Sequence, residues 1–276
     1  MGTPTAAGTA FWHGVQPGSV ALNGALYYVI MPITARLDII SRTAAENFTE
    51  TVRKANARMP FTCAINGVQY SVSAMGVTSL ALGSDALEPE ETVPDGQVVR
   101  QGTVVAGRSS SNTFYMAFDY LGGYQFGFGD PPLRASRAVG GLGPLIIDGL
   151  PYGVGNLCKR PANCPPTGPV PAGMREFMTQ RNNATYADQQ ARPAGTGKAI
   201  IATNKDIGRM LVGVQPHGGG GTDFDSLKLW LLELGCDNAV FLDGSDSVML
   251  HARGKFWVQP AIRKDRSNTI GLAFYA

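Results

Sequence analysis

Residues 231–250 read LLELGCDNAVFLDGSDSVML and restrict the fold more than any other stretch of the chain. They continue an apolar pattern at helical spacing that predicts a helix over Phe224–Leu234, and Gly235 is a typical helix stop. The apolar run Asn238–Leu242 then predicts a buried strand. Because that strand ends at Asp243, the sequence predicts a carboxylate at the edge of a sheet.

Outward from this stretch, the sequence predicts one further clear helix and a set of short strands. Thr43 and Glu46 form a capping-box pattern ahead of apolar residues at helical spacing, which predicts a helix over Thr43–Met59 that Pro60 ends. Gly140–Gly149 is predicted to be a glycine-rich turn that leads into an apolar strand. The predicted strands are two within Ala21–Ile40, then Phe61–Ile65, Val98–Val105, Phe114–Asp119, Tyr124–Phe128, the hairpin pair Ala199–Thr203 and Arg209–Val214, and Thr269–Tyr275.

The composition is that of a folded chain with many turns. Hydrophobic residues make up 44% of the 276 positions, and the chain contains 35 Gly and 18 Pro. We therefore predict an α+β fold: a single domain whose strongly twisted mixed β-sheet is packed by a few helices and carries long Gly/Pro-rich loops, such as residues 151–173. The domain is expected to span residues 21–276 after an N-terminal extension at residues 1–20, with an irregular helix within Met174–Ala191.

Charge and hydropathy exclude two classes of partner. The 23 basic and 21 acidic residues leave a net charge of +2, whereas a nucleic-acid-binding protein is expected to carry a basic stripe. The longest apolar stretch, near Ala25–Ile33, is too short to cross a bilayer and contains Pro32. The first ten residues lack the basic and apolar pattern of a secretory signal. The sequence therefore predicts no nucleic-acid partner and no transmembrane segment, and it leaves the oligomeric state open.

The four cysteines divide into two kinds. Cys158 and Cys164 flank a proline-rich loop, and their spacing allows a disulfide, which would place the protein in an oxidising compartment. Two free thiols are the alternative. Cys63 and Cys236 lie in apolar segments and are predicted to be small core residues.

Asp243 is the first candidate for chemistry. A carboxylate at the end of a strand can face a cleft, and the small residues Gly244, Ser245 and Ser247 let the backbone approach a ligand. The alternative is an Asx-turn in which Asp243 only caps its own loop.

This stretch resembles the phosphodiester glycosidase family, the relatives of the uncovering enzyme that removes N-acetylglucosamine from a phosphodiester. The hallmark of the family is a helix ending in LG, an apolar strand and a pattern like LDGGGSS, which Leu242–Ser247 occupies here. Further landmarks follow in the family's order across residues 25–276: Asn66-Gly67 resembles its NG turn, Gly141–Gly149 its GGGPLLV-x-DG segment, Lys198–Gly208 its RTAIGID-K-DG hairpin and Asn268 its R-x-x-x-N segment.

The sequence departs from the family pattern at four positions. Lys198 falls on an Arg of the family and Ala202 on a Gly, while Ser245 and Asp246 replace two glycines. Lys balances a phosphate as a point charge, without the bidentate fork of Arg. Asp246 adds a negative charge, which would change the substrate, recruit a cation or mark a lost activity.

The resemblance implies a hydrolase that cleaves the glycosidic bond of a sugar-1-phosphodiester in the carbohydrate metabolism of a cell envelope. Such cleavage builds an oxocarbenium-like centre that a carboxylate stabilises or attacks, while cations hold the phosphate. The catalytic candidates are Asp243, Asp246 and His217, which precedes a glycine run. The substrate-binding candidates are Asn66, Gly67, Lys198, Gly244, Ser245, Ser247, Arg266 and Asn268, with Arg192 and Arg263 as weaker ones that fit exposed surface charges better.

Two other functions fit the same residues. One is a catalytically altered or inactive protein that binds a glycan or phospho-sugar on this fold. The other is a metal-dependent phosphoesterase in which Asp243 and Asp246 hold a divalent cation, although such a site needs more ligands than this segment offers. No other cofactor is expected. The expected partner is a small-molecule, lipid-linked or polymeric phospho-sugar, and the expected location is secreted, periplasmic or at the cell surface.

Overall fold

The structure is a computed structural model that describes residues 10–13, 26–43, 46–68, 70–72, 92–109, 114–153, 175–176, 196–218 and 221–276. Within these residues it contains nineteen strands and three short helices, and most strands belong to two antiparallel sheets. The fold is therefore mostly β, and the predicted α+β class, with one twisted mixed sheet packed by helices, is wrong. The error has a physical reason: short strands pair over long sequence distances, and local patterns do not reveal that pairing.

The secondary structure is numbered in chain order. The strands are β1 (Ala10–His13), β2 (Tyr27–Pro32), β3 (Arg36–Ser41), β4 (Cys63–Asn66), β5 (Tyr70–Val72), β6 (Thr92–Pro94), β7 (Val98–Arg100), β8 (Thr103–Ala106), β9 (Phe114–Phe118), β10 (Tyr124–Phe128), β11 (Arg137–Ile147), β12 (Leu150–Gly153), β13 (Arg175–Glu176), β14 (Lys198–Asn204), β15 (Arg209–Gln215), β16 (Asn238–Phe241), β17 (Leu250–Ala252), β18 (Lys255–Val258) and β19 (Ile270–Tyr275). The helices are α1 (Phe48–Arg58), α2 (Phe224–Glu233) and α3 (Ile262–Ser267).

The larger sheet has twelve strands, and its main path runs β1-β2-β15-β14-β16-β11-β12-β13. Strands β7 to β10 branch from β11. The smaller sheet has five strands in the order β18-β17-β4-β19-β3, and β5 and β6 form a separate pair. The predicted hairpin of β14 and β15 is confirmed, with Lys198 opposite Gln215 at one end and Asn204 opposite Arg209 at the other.

One contiguous cluster of buried side chains joins the two sheets. It includes Leu37 and Leu272 of the smaller sheet together with Val29 and Val212 of the larger one. The opposite face of the larger sheet is covered by α2, because Trp230 contacts Tyr28 with ring centroids 5.5 Å apart. The central strands are thus buried on both faces, which explains why β14 and β16 contain no exposed position.

The helices differ in how well the sequence predicts them. Helix α2 is confirmed: the Asp223 carboxylate accepts a hydrogen bond from the Ser226 N–H at 2.6 Å, and Gly235 ends the helix at φ +74°. Helix α1 begins at Phe48, so the predicted start at Thr43 is wrong.

The capping-box pattern ahead of α1 does not cap that helix. The N-cap is Asn47, whose side chain makes no capping bond, and Glu46 donates its N–H to the Thr43 carbonyl in a turn at 3.2 Å. Helix α1 lies on the outer face of the smaller sheet, where Phe48 packs in a second buried cluster.

The glycine-rich segment 140–149 lies largely inside a strand, so the turn predicted to precede the strand is wrong. Strand β11 pairs with β7 and β9 through Arg137–Val139 and with β16 from Gly143 onward. The pairing register shifts between Val139 and Leu142, where Gly141 has φ +75°. The glycines therefore let one strand bend between two parts of the sheet.

Several predictions fall outside the described residues. Cys158, Cys164 and Arg192 lie there, as does all of the predicted helix at Met174–Ala191 except β13. Cys63 and Cys236 are buried, as predicted. In the described part of the chain, no helix has the length and apolar character needed to cross a membrane.

Candidate functional site

Asp243 lies two residues beyond β16, where three strands of the two sheets approach each other. Its backbone N–H donates to the Gly67 carbonyl at 3.1 Å, just past β4. On the other side, Leu242 donates its N–H to the Ala199 carbonyl at 2.9 Å, and Ser245 donates to the Gly197 carbonyl at 2.7 Å. The 243–247 loop is therefore held between the Asn66-Gly67 turn and the start of β14.

The Asn66 side chain joins β4 to this loop. Its Nδ2 donates to the Asp243 carbonyl at 2.7 Å, and its Oδ1 accepts the Met249 N–H at 2.9 Å. Asn66 is only 1% exposed, so both bonds are protected from water. The structure thus gives Asn66 a positioning role, and its predicted contact with a sugar hydroxyl stays a prediction.

Asn268 holds the far end of the loop in the same way. Its Nδ2 donates to the Ser247 carbonyl at 2.9 Å, and its own carbonyl accepts the Arg42 Nε at 2.8 Å. Both Asn268 and Ser247 are buried. Two buried amides, far apart in sequence, therefore fix the backbone at Asp243 and in the residues that follow it, up to Met249.

The loop has a backbone conformation that favours glycine. Ser245 has φ +58°, in the left-handed region where a β-carbon is unfavourable. Ser245 therefore adopts a glycine-like conformation although it carries a β-carbon. Opposite it, a Cβ on Gly197 would lie 2.1 Å from the Ser245 carbonyl oxygen, which explains why only glycine fits at Gly197.

The Asp243 carboxyl is half-buried, and burial raises its pKa from 3.8 to about 6. The Ser247 hydroxyl and the Gly244 N–H donate to the carboxyl and lower its pKa, as does the charge of Lys264, whereas Asp246 raises it. The bonds from Ser247 and Gly244 are also those expected of an Asx-turn, in which Asp243 only caps its own loop. The raised pKa and the nearby cation are additional features that a plain loop cap does not need.

Lys264 of α3 is the cation beside the two carboxylates. Its Nζ lies 4.0 Å from Asp246 Oδ1, and it is one of the charges that influence Asp243. Sequence reasoning chose Arg266 instead, which lies two residues along α3 and so on another side of the helix. The R-x-x-x-N pattern contained a signal that could have identified Lys264. Lys264 lies four positions before Asn268, which is the position of the Arg in that pattern.

Lys198 lies between Gly197 and Ala199, whose carbonyls accept hydrogen bonds from Ser245 and Leu242, but its ammonium group is enclosed. The side chain is 1% exposed, and Nζ donates to the Thr196 carbonyl at 3.4 Å and lies 5.5 Å from the centre of the Phe224 ring. Burial lowers the pKa of Lys198 to about 8, and the charge of Asp223 acts in the opposite direction. Its predicted contact with a phosphate stays a prediction.

The two histidines of interest differ in accessibility. His217 is exposed, and its Nδ1 accepts the Gly197 N–H at 3.3 Å. The carbonyl of the same Gly197 accepts the Ser245 N–H, so Gly197 links His217 to the 243–247 loop. His251 is buried beside Phe61 and Phe256, and burial lowers its pKa. His217 is therefore the histidine that lies near the loop.

The predicted residues thus fall into groups. The structure brings together Asn66, Gly67, Gly244, Ser245, Asp246, Ser247, His217 and Asn268 around Asp243. Arg263 is exposed on α3. Among the described residues, no group of three or more His, Cys, Asp or Glu side chains is arranged to hold a metal ion.

Comparisons with known proteins support the fold and nothing finer. No family model matches the chain, and no curated protein matches it. The chain is similar in structure to the catalytic domain of zebrafish N-acetylglucosamine-1-phosphodiester alpha-N-acetylglucosaminidase, auto-inhibited by its pro-peptide, with a TM-score of 0.56, 13% identity and coverage of 100% of this chain and 81% of that one.

A second solved structure has the same fold. It is a protein of Burkholderia pseudomallei K96243 whose name predicts export, with a TM-score of 0.56, 12% identity and coverage of 98% of this chain and 75% of that one. At these identities the two structures establish a distant relationship at the level of the fold.

Proposed function

We propose that the protein is a hydrolase that cleaves the glycosidic bond of a sugar-1-phosphodiester. The observation that carries the proposal is the Asp243 carboxyl, half-buried, with its pKa raised to about 6 and with Lys264 and Asp246 beside it. The fold shared with a phosphodiester glycosidase supports the same reaction class. Above pH 6 the Asp243 carboxyl is mostly ionised and can stabilise positive charge.

The proposed reaction breaks the bond between the anomeric carbon and the phosphate oxygen. The electron pair of that bond leaves with the phosphate, and the ionised Asp243 stabilises the oxocarbenium-like centre. Lys264 balances the charge of the departing phosphate. A water oxygen then bonds the anomeric carbon, and Asp246 or His217 accepts the proton of that water.

The experiment measures hydrolysis of UDP-N-acetylglucosamine in ¹⁸O-labelled water. Cleavage of the glycosidic bond places ¹⁸O in the released sugar, whereas a phosphoesterase that cleaves at phosphorus places it in the phosphate product. Label in the sugar, lost in Asp243→Asn and kept in the exposed control Asp206→Asn, is the expected result. Label in the phosphate contradicts the proposal.

A binding protein on the same fold is the second candidate. The departures from the family pattern favour it, because Ser245 and Asp246 stand where two glycines are expected and Asp246 adds a negative charge beside Asp243. Retained binding of UDP-N-acetylglucosamine by the wild-type protein, with no turnover under any condition tested, would favour this candidate.

We also propose a secreted, periplasmic or cell-surface location, supported by the predicted export of the Burkholderia protein. The proposal includes a disulfide between Cys158 and Cys164. Thiol titration of denatured, unreduced protein should then count two free thiols, Cys63 and Cys236. Four free thiols in protein purified without reductant would count against it.

A further inference from the structure

A cavity of about 430 Å³ lies between α1, the edge strand β3 and the start of β11. None of the residues that line it belongs to the group around Asp243. Its volume is within the range of small-molecule sites, about 300–1,000 Å³. The lining includes four basic side chains, Lys54, Arg58, Arg100 and Arg137, and two acidic ones, Asp38 and Glu46.

The charges in this cavity do not balance. Arg137 pairs with Asp38 at 2.7 Å, and Lys54 pairs with Glu46 at 2.7 Å. Within the part of the chain that the structure describes, no carboxylate pairs with Arg58 or Arg100. The lining therefore carries two positive charges in excess, one of which Glu50 offsets from outside the cavity through its contact with Lys54 at 3.2 Å.

Arg100 and Arg137 face each other across two paired strands. They are direct register partners of β7 and β11, and like charges in that position are destabilising. Arg137 has its own carboxylate, whereas the acceptor that the described residues offer the Arg100 side chain is the Ile39 carbonyl, bonded through Nη2. A negative group in the cavity would relieve this repulsion.

Arg100 also has a buried donor without an acceptor. Its Nε is inaccessible to solvent, and no hydrogen-bond acceptor lies within reach of it among the described residues. A buried donor that has lost water and gained no partner costs stability, so such groups in native proteins usually have a partner when the protein is at work. An anion in the cavity would offset the excess charge, and its oxygen would reach Nε after a shift of the Arg100 side chain, because Nε is closed to solvent as it stands.

The remaining lining suits an organic body. Met59 and Tyr275 contribute apolar atoms to the cavity, and the volume exceeds what one inorganic anion occupies. We propose that this cavity binds a small organic anion, bearing phosphate or carboxylate groups, between Arg100 on β7 and Arg58 at the end of α1.

Calorimetric titration of the full chain at low salt tests the proposal, with glucose 6-phosphate, citrate and inorganic phosphate as probes. At least one organic probe should bind with a Kd below about 1 mM and lose affinity as NaCl is raised. Arg58→Met and Arg100→Met should each weaken binding by at least about tenfold, the scale of one charge-assisted contact. Arg134→Met, an exposed arginine outside the cavity, should leave it unchanged.

The outcomes are separable. Tighter glucose 6-phosphate binding assigns phosphate chemistry to the ligand, and tighter citrate binding assigns carboxylate chemistry. Arg58 is exposed at a helix end, so its variant tests the cavity even if Arg100→Met fails to fold. Unchanged affinity in Arg58→Met, equal affinity for inorganic phosphate, or no binding at about 10 mM would overturn the proposal. Asp243→Asn should not affect this binding, which keeps the test independent of the proposed hydrolysis.

Discussion

Replacement of Asp243 by Asn should abolish most turnover and stabilise the protein at neutral pH. The variant keeps the shape of the side chain and removes its charge. Burial raises the pKa of Asp243 from 3.8 to about 6, so the native state holds this proton more tightly than the unfolded chain does. The contribution of this group to wild-type stability is therefore full below pH 3.8 and is lost as the pH rises through 6, where the buried carboxyl is half ionised.

The magnitude follows from the two pKa values. Since each pKa unit corresponds to 1.36 kcal/mol, ionising Asp243 costs the native state about 3 kcal/mol. The variant lacks this cost. The difference in unfolding free energy, variant minus wild type, should widen in favour of the variant by about 2.4 kcal/mol between about pH 4 and about pH 7.

Urea unfolding across this pH range measures the difference, with the exposed Asp206→Asn as the matched control. In the same preparations, turnover of a sugar-1-phosphodiester should fall by at least about a hundredfold in Asp243→Asn, the scale of one electrostatic catalytic contact. A stability difference that does not change with pH would refute the burial of a charge at Asp243. Unchanged hydrolysis would refute its catalytic role.

Four further results are expected. First, kcat/KM should rise with pH through about 6 as Asp243 ionises. Lys264→Met should move this rise to higher pH because it removes a charge that lowers the pKa of Asp243, and Lys264→Arg should return the rise to its wild-type position. A profile that Lys264→Met does not move would contradict the role of Lys264. Second, EDTA should leave turnover unchanged, whereas loss of activity that is restored by a divalent cation would favour the metal-dependent reaction. Third, Asn66→Ala should lower the unfolding free energy by about 2–4 kcal/mol because it leaves the Asp243 carbonyl and the Met249 N–H without this partner; a change under about 0.5 kcal/mol would contradict the positioning role of Asn66. Fourth, Lys198→Met should raise KM for the phosphodiester and stabilise the protein at pH 7, with the stabilisation shrinking between pH 8 and 10.5 as the wild-type group loses its proton first in the folded state; urea unfolding at both ends of this range tests it.

The sequence alone determines those parts of the molecule that depend on neighbouring residues. Helix α2 and its stop at Gly235 follow from side-chain spacing and from a glycine that adopts the left-handed conformation. The hairpin of β14 and β15 and the strand before Asp243 follow from apolar runs and turn residues. These features are correct because the interactions that form them lie within a few residues of each other.

The tertiary structure decides how distant segments combine. The hydrogen bond from Asn66 to the Asp243 carbonyl joins residues 177 positions apart. No local pattern predicts whether a side-chain amide binds a backbone carbonyl or a sugar hydroxyl. The choice of Lys264 over Arg266 depends on which side of α3 faces the loop. Strand β11 passes between two parts of a sheet because its partners approach from remote parts of the chain, and that long-range pairing makes the fold mostly β. Sequence patterns report local preference, whereas pairing and side-chain direction are set by the packing of the whole chain.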